Sequence, residues 1–141
     1  MDKEKQIKND AVVKASRDNA QSQYDVAVGY ATGVLPGGID FKKSRMWCQQ
    51  SVEQGYADAF VQMGLYYLFG QGVDVDYRTA YMWFEKGVQA GAQGKSYYFL
   101  GYCYENGFGI PKDIDKAKSL YQAAGNIDLA IAGLMRLTRH N

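Results

Sequence analysis

Landmark residues recur along this 141-residue chain with a period near 36, and that recurrence restricts the fold more than any other feature. Trp47, Trp83 and Leu120 stand 36 and 37 residues apart, Asp40, Asp76 and Asp113 keep the same phase, and Gly29, Gly64 and Gly101 stand 35 and 37 apart. Gly70-Gln71-Gly72 returns as Gly107-Phe108-Gly109, again at 37. A unit this short cannot bury its apolar face alone, so copies must stack and cover one another.

The copy at 56–91 is the clearest. Ala59, Met63 and Tyr67 fall at i, i+4 and i+8 with Phe60 and Gly64 beside them, which makes one apolar helical stripe. Ala80, Trp83, Phe84, Gly87 and Val88 make a second, and the glycine-rich run 70–76 between them is a turn. The unit is therefore helix, turn, helix. Applied along the chain, the pattern predicts helix pairs at 20–32 with 41–54, 57–69 with 77–90, and 94–106 with 114–124. Asp40, Asp76 and Asp113 precede second helices, where a carboxylate accepts free amide hydrogens and meets the positive end of the helix dipole. Gly55, Gly91 and Gly125 follow second helices, where positive φ is needed.

Both ends read as caps. In 1–18, Ile7, Ala11, Val12 and Ala15 form the only stripe, which suggests a polar amino-terminal helix over about 5–16. In 127–141, Ile127, Ala130, Ile131, Leu134 and Leu137 recur at helical spacing, and Arg136 and Arg139 suit the carboxyl end of a closing helix.

The run 55–67 (GYADAFVQMGLYY), the Gly-x-Gly-Val turn at 70–73, and Trp83-Phe84 followed by Gly91 resemble the SLR (Sel-one-like repeat) family, a relative of the tetratricopeptide repeats. Leu100 to Tyr104, Gly107-Phe108-Gly109 and 113–121 carry the same likeness into a third copy. The first copy departs from it, with Gly33 to Gly38 in place of the usual turn and one residue fewer between Gly29 and Trp47. The resemblance implies an all-α, right-handed α/α solenoid of three helix-turn-helix repeats, 20–55, 56–91 and 92–126, between an amino-terminal cap at 1–18 and a carboxyl-terminal cap at 127–141. It also implies a concave side lined by first helices.

Chemistry is sparse. The one histidine, His140, is the penultimate residue, a poor place for a base that must be held still. With Cys48 and Cys103 distant in sequence no zinc spacing exists, and the two read as free, partly buried thiols. The Gly-x-Gly turns follow no strand and precede no Gly-Lys-Ser/Thr, so they are structural rather than phosphate-cradling. The acidic pairs Asp74/Asp76 and Asp113/Asp115 bracket helix starts and read as caps. No cofactor, metal or catalytic set is expected, and an enzyme or metal protein is the remote alternative. A formal charge of +1 gives no field to steer toward nucleic acid, and no run is long enough to span a membrane. The polar start MDKEKQIKND reads as that of a cytoplasmic chain, or of a periplasmic or exported one if a leader has been removed.

What remains is surface. Positions not used for stacking run Gln23, Ala27, Tyr30 in the first copy, Asp58, Gln62, Leu65, Tyr66 in the second, and Lys95, Phe99, Tyr102 in the third. Exposed together they would form an aromatic strip suited to a protein partner; alternatively Tyr30, Phe99 and Tyr102 fill gaps between repeats. The leading expectation is a non-catalytic module that binds a protein through this concave strip. The alternative is an immunity or inhibitor protein that neutralises a secreted toxic effector such as a phospholipase.

Overall fold

The computed structural model describes Arg17 and residues 19–139, and seven α-helices account for their regular structure: α1 (Ala20–Thr32), α2 (Phe41–Glu53), α3 (Ala57–Phe69), α4 (Tyr77–Gln89), α5 (Lys95–Asn106), α6 (Ile114–Ala124) and α7 (Asp128–Arg139). The helix expected near the amino terminus lies outside the described residues. Pairs α1–α2, α3–α4 and α5–α6 pack as hairpins. Each second helix then packs on the first helix of the following unit, α2 on α3, α4 on α5 and α6 on α7, so the units stack in chain order.

The hairpins share one set of local devices. Asp40, Asp76 and Asp113 are extended residues whose carboxylates accept the backbone N–H of Lys43, Thr79 and Lys116, each at 3.0 Å. These are the N-caps that the sequence pattern required. The backbone N–H of the same three aspartates donates to Tyr30, Tyr67 and Tyr104 carbonyls at 2.9–3.0 Å and closes each loop. First helices end at Gly33, Gly70 and Gly107, all left-handed, with φ between 66° and 81°.

Those end points correct the sequence register. The helices place Gly33, Gly70 and Gly107 in equivalent positions, a uniform spacing of 37, so the counterpart of Gly64 and Gly101 is Ala27 rather than Gly29. The first loop is one residue longer than the others, seven steps from Gly33 to Asp40 against six from Gly70 to Asp76, not shorter. Gly29 lies two residues beyond the position that Gly64 and Gly101 occupy, and Ala27 stands at that position in the first helix.

The corrected register makes packing sense. A Cβ on Gly64 would clash with the Cε1 edge of the fully buried Phe84 ring, and one on Gly101 would lie 2.8 Å from Tyr121 Cε1. Aromatic rings of the second helix thus rest on the bare backbone of the first. In the first hairpin the ring is replaced by Cys48, and the smaller side chain leaves room for the methyl of Ala27; both are fully buried in one cluster. Gly29 stands where Tyr66 and Cys103 stand later, and Leu35 of the longer loop folds over it, its Cγ 2.8 Å from where a Cβ would be. Tyr66 itself reaches back to α2, where it bonds Ser44.

Helix α7 docks on α6 through Ala130, Gly133 and Leu137, with Ile127 and Leu134 at the margin. Ile131, expected in that stripe, is 42% exposed because Ile127, Ala130, Leu134 and Leu137 already define the line and Ile131 lies about 100° around from Ala130. Glu105 pins the helix, accepting from Arg136 Nε at 3.1 Å and from the Tyr121 hydroxyl at 2.7 Å. Cys48 and Cys103 are free thiols, both buried.

Candidate partner-binding surface

First helices of successive hairpins approach one another, α1 with α3 and α3 with α5, an approach that the second helices do not match. That places α1, α3 and α5 on the inner side of the stack. With the spacing of 37, the inward positions fall into three rows across the helices: Gln21, Asp58, Lys95; Asp25, Gln62, Phe99; and Val28, Leu65, Tyr102. Gln21, Asp25, Asp58 and Lys95 are exposed, and the other five are half-buried. The strip is polar along the row nearest the helix starts and apolar along the row nearest their ends.

Six of the residues expected on this surface, Asp58, Gln62, Leu65, Lys95, Phe99 and Tyr102, therefore lie on one face. Tyr30 and Tyr66 do not. Tyr66 is fully buried and its hydroxyl bonds Ser44, while Tyr30 is 6% exposed with Lys43 over its ring. Gln23 and Ala27 are buried as well, with Gln23 Nε2 donating to the Arg17 carbonyl at 2.8 Å and Gln23 Oε1 accepting from Gln54 at 2.6 Å. For Gln23, Ala27 and Tyr30 the physical reason is the register: a displacement of two residues turns the selected face by about 200°, from inward to the packed side, whereas Tyr66 lies one residue, about 100°, round from Leu65 and faces α2. Gln21, Asp25 and Val28 were missed for the same cause, and the helix-ending Gly33, matched to Gly70 and Gly107, was the signal that could have found them.

The two roles weighed for the aromatics coexist. Phe99 stacks one face on Phe84, ring centres 5.3 Å apart, and Tyr102 packs against Phe108 at 5.7 Å, yet each keeps part of its ring open.

Four of the expected residues, Asp58, Gln62, Leu65 and Lys95, also line one cleft of about 280 Å³, closed by Tyr24 from α1 and Ile127 ahead of α7. The cleft thus draws on all three hairpins. Burial, reinforced by the Asp58 carboxylate, pushes the Tyr24 phenol up to about 12, so it stays a neutral donor. A phenol, a carboxylate, an amide, an ammonium and two aliphatic side chains together offer hydrogen bonds of both kinds, both charges and an apolar wall. Such a lining can hold a ligand by hydrogen bonds, by charge and by apolar contact at once. Among the described residues no group of three or more His, Cys, Asp or Glu gathers as a metal site, and no helix is long and apolar enough to cross a membrane.

The Sel1 repeat family model matches this chain over residues 20–56, 57–91 and 94–128. The chitin synthase regulator SKT5 of Malassezia restricta is 31% identical over 112 residues, 70% of this chain and 8% of that protein. Protein sel-1 homolog 2 of Mus musculus is 35% identical over 79 residues, 56% of this chain and 11% of the relative, so the chain spans about a tenth of these relatives' length. Among solved structures, the Sel1 repeat protein from Oxalobacter formigenes superposes with a TM-score of 0.70 at 25% identity, covering 92% of this chain and 96% of its own. A protective antigen present in uropathogenic Escherichia coli strains, displaying an SLR fold, gives 0.77 at 26% identity over 86% of this chain and 26% of its own. Repeat matches along most of its length and a shared helical stack lead to one conclusion: the chain belongs to the Sel1 repeat family, whose members are typically protein–protein interaction modules.

Proposed function

We propose that this protein is a non-catalytic binding module that holds an extended segment of a partner protein along the inner faces of α1, α3 and α5. The observation that carries the reading is the convergence of Asp58, Gln62, Leu65 and Lys95, with Tyr24 and Ile127, on one cleft built by three hairpins. The strip's gradient gives it direction: side chains of the partner that need water face Gln21, Asp58 and Lys95, and its apolar side chains lie on Val28, Leu65 and Tyr102. Half-buried aromatic and aliphatic residues beside unpaired charges are the composition of interface hot spots and their rims.

The experiment is capture of the partner from the source organism with the wild-type protein as bait, identification by mass spectrometry, and calorimetry with the purified partner. Leu65→Asp and Lys95→Glu should each weaken binding by about tenfold or more, while Lys112→Glu, in the exposed loop before α6, should leave it unchanged. A partner that binds both variants as tightly as wild type would overturn the assignment of this face. If the captured protein is a toxic enzyme whose activity falls on binding, the module acts as its inhibitor through the same surface.

A further inference from the structure

On the face of α3 turned away from that strip lies a second, larger depression of about 460 Å³. Met63 and Tyr67 of α3 form its floor, and α2 contributes Lys42, Arg45, Met46 and Gln49 along its side. Both ionisable chains in this lining with a fixed charge are cations, and no carboxylate lies among the lining residues. The ion pair among the described residues is Arg136 with Glu105, so neither Lys42 nor Arg45 is neutralised there. Arg45 is drawn inward: its Nε is buried without an acceptor, 3.6 Å from where a Cβ on Gly72 of the next hairpin's turn would be. A buried guanidinium nitrogen with no acceptor in the protein leaves this cation with unused donor capacity beside the depression. Beside these charges, Met46 is 54% exposed above the buried Met63, an adaptable apolar seat.

We propose that this depression is a second binding site, separate from the inner strip, and that it takes an acidic peptide segment. An Asp or Glu carboxylate of the segment accepts from Lys42 Nζ and the outer nitrogens of Arg45, and a neighbouring aliphatic or aromatic side chain lies on Met46, Met63 and Tyr67. Charge complementarity sets the class of ligand, and the apolar floor distinguishes a peptide from a bare anion. One chain of this kind can hold two segments on opposite sides of α3, which makes it a bridge.

The test is selection from a random heptapeptide display library on the wild-type protein, followed by fluorescence anisotropy of the enriched peptides after labelling. The expected result is enrichment of Asp or Glu next to a Leu, Ile, Phe or Met. Affinity should fall about tenfold or more in Lys42→Glu and in Met46→Asp, both exposed, and hold in Lys95→Glu on the inner strip. Lys42→Glu and Met46→Asp are checked for an unchanged thermal melt, so lost binding is not lost folding. Failure to enrich acidic peptides, or equal binding by Lys42→Glu, overturns the proposal. So does a labelled single-stranded oligonucleotide that binds more tightly than the best peptide and is itself weakened by Lys42→Glu, since that assigns the site to nucleic acid. Because Lys95→Glu probes the other surface, the two binding readings fail independently.

Discussion

The buried hydroxyl of Tyr66 donates to Ser44 Oγ, and Ser44 passes its own hydrogen to the Ala27 carbonyl at 2.6 Å, so one three-atom relay ties α3 to both helices of the preceding hairpin. Burial and the Cys48 sulfur beside it raise the phenol well above its ordinary pKa, which keeps the donor protonated. The equivalent positions one hairpin later are Ala80 and Cys103, both buried, so the second junction is closed by apolar contact instead.

Removing the middle of the relay should therefore cost more than removing its end. Ser44→Ala strands a buried hydroxyl and should destabilise by about 1–3 kcal/mol, whereas Tyr66→Phe leaves Ser44 bonded to Ala27 and should cost about 0.5–1.5 kcal/mol. In urea melts the double variant should fall short of the sum of the two. Additive losses would show that the two hydroxyls do not depend on each other.

Gly64→Ala should be among the most damaging single methyl additions in the chain, since the new carbon meets the Phe84 ring in a fully buried position. A loss of about 1–3 kcal/mol is expected, with partial recovery in Gly64→Ala/Phe84→Leu. Gly29→Ala should cost less, because Leu35 lies on a loop and can move aside. Thermal melts of the three variants give the ranking.

Two opposite pH limbs follow from the titratable groups. The Asp76 carboxyl is held below its ordinary range by the backbone N–H and hydroxyl of Thr79, so its contribution is present above the ordinary carboxylate pKa and lost as pH falls through the lowered value. Asp76→Asn should flatten the acid limb between about pH 5 and about pH 2. Asp40→Ala should cost about 0.5–2 kcal/mol at neutral pH through the same kind of cap. At the other end, burial pushes the Cys48 and Cys103 thiols from 9.0 up to about 12, so the folded state keeps them neutral while the unfolded chain ionises. Stability should decline as pH rises from about 9 toward 12, and less so in Cys48→Ala/Cys103→Ala. Neither thiol should react with a thiol-specific reagent until the chain unfolds, as ultraviolet absorbance of the released chromophore will show.

Arg136→Ala should loosen α7 without unfolding the hairpins. Its side chain is 49% exposed, so screening limits the loss to about 0.2–1 kcal/mol, but amide exchange in α7 should quicken while that of α3 and α4 does not. Removal of 127–141 goes further, uncovering Tyr121 and Ala124, and should lower both melting temperature and solubility. A truncated chain that melts like the full one would remove α7 from any closing role.

Each hairpin was legible because it carries local marks: an aspartate whose carboxylate caps its second helix, and a positive-φ glycine after each helix. Asp40, Asp76 and Asp113 alone fix where three helices begin. Facing was harder. In this stack α3 packs against its own partner α4, against α2 before it and against neighbouring first helices, so apolar and polar residues alike are buried on several sides and periodicity does not isolate the free face. Tyr66 reads as surface by type and is fully enclosed, whereas Asp58 and Gln62 are unambiguous once the register is known. In the first hairpin, Gly29 imitated a landmark that Ala27 actually occupies, and a shift of two residues was enough to turn the expected residues from the inner face to the packed side.

The extra residue in the first loop carries a consequence for anyone who would rearrange the units. Later hairpins present Tyr66 or Cys103 to a predecessor, but this one offers Gly29 already covered by its own Leu35. Transplanted to the middle of the array it would arrive with a stopper in the socket, and shortened to match its neighbours it would open a hole. Its place at the head of the described stack is written into a loop, not into either helix.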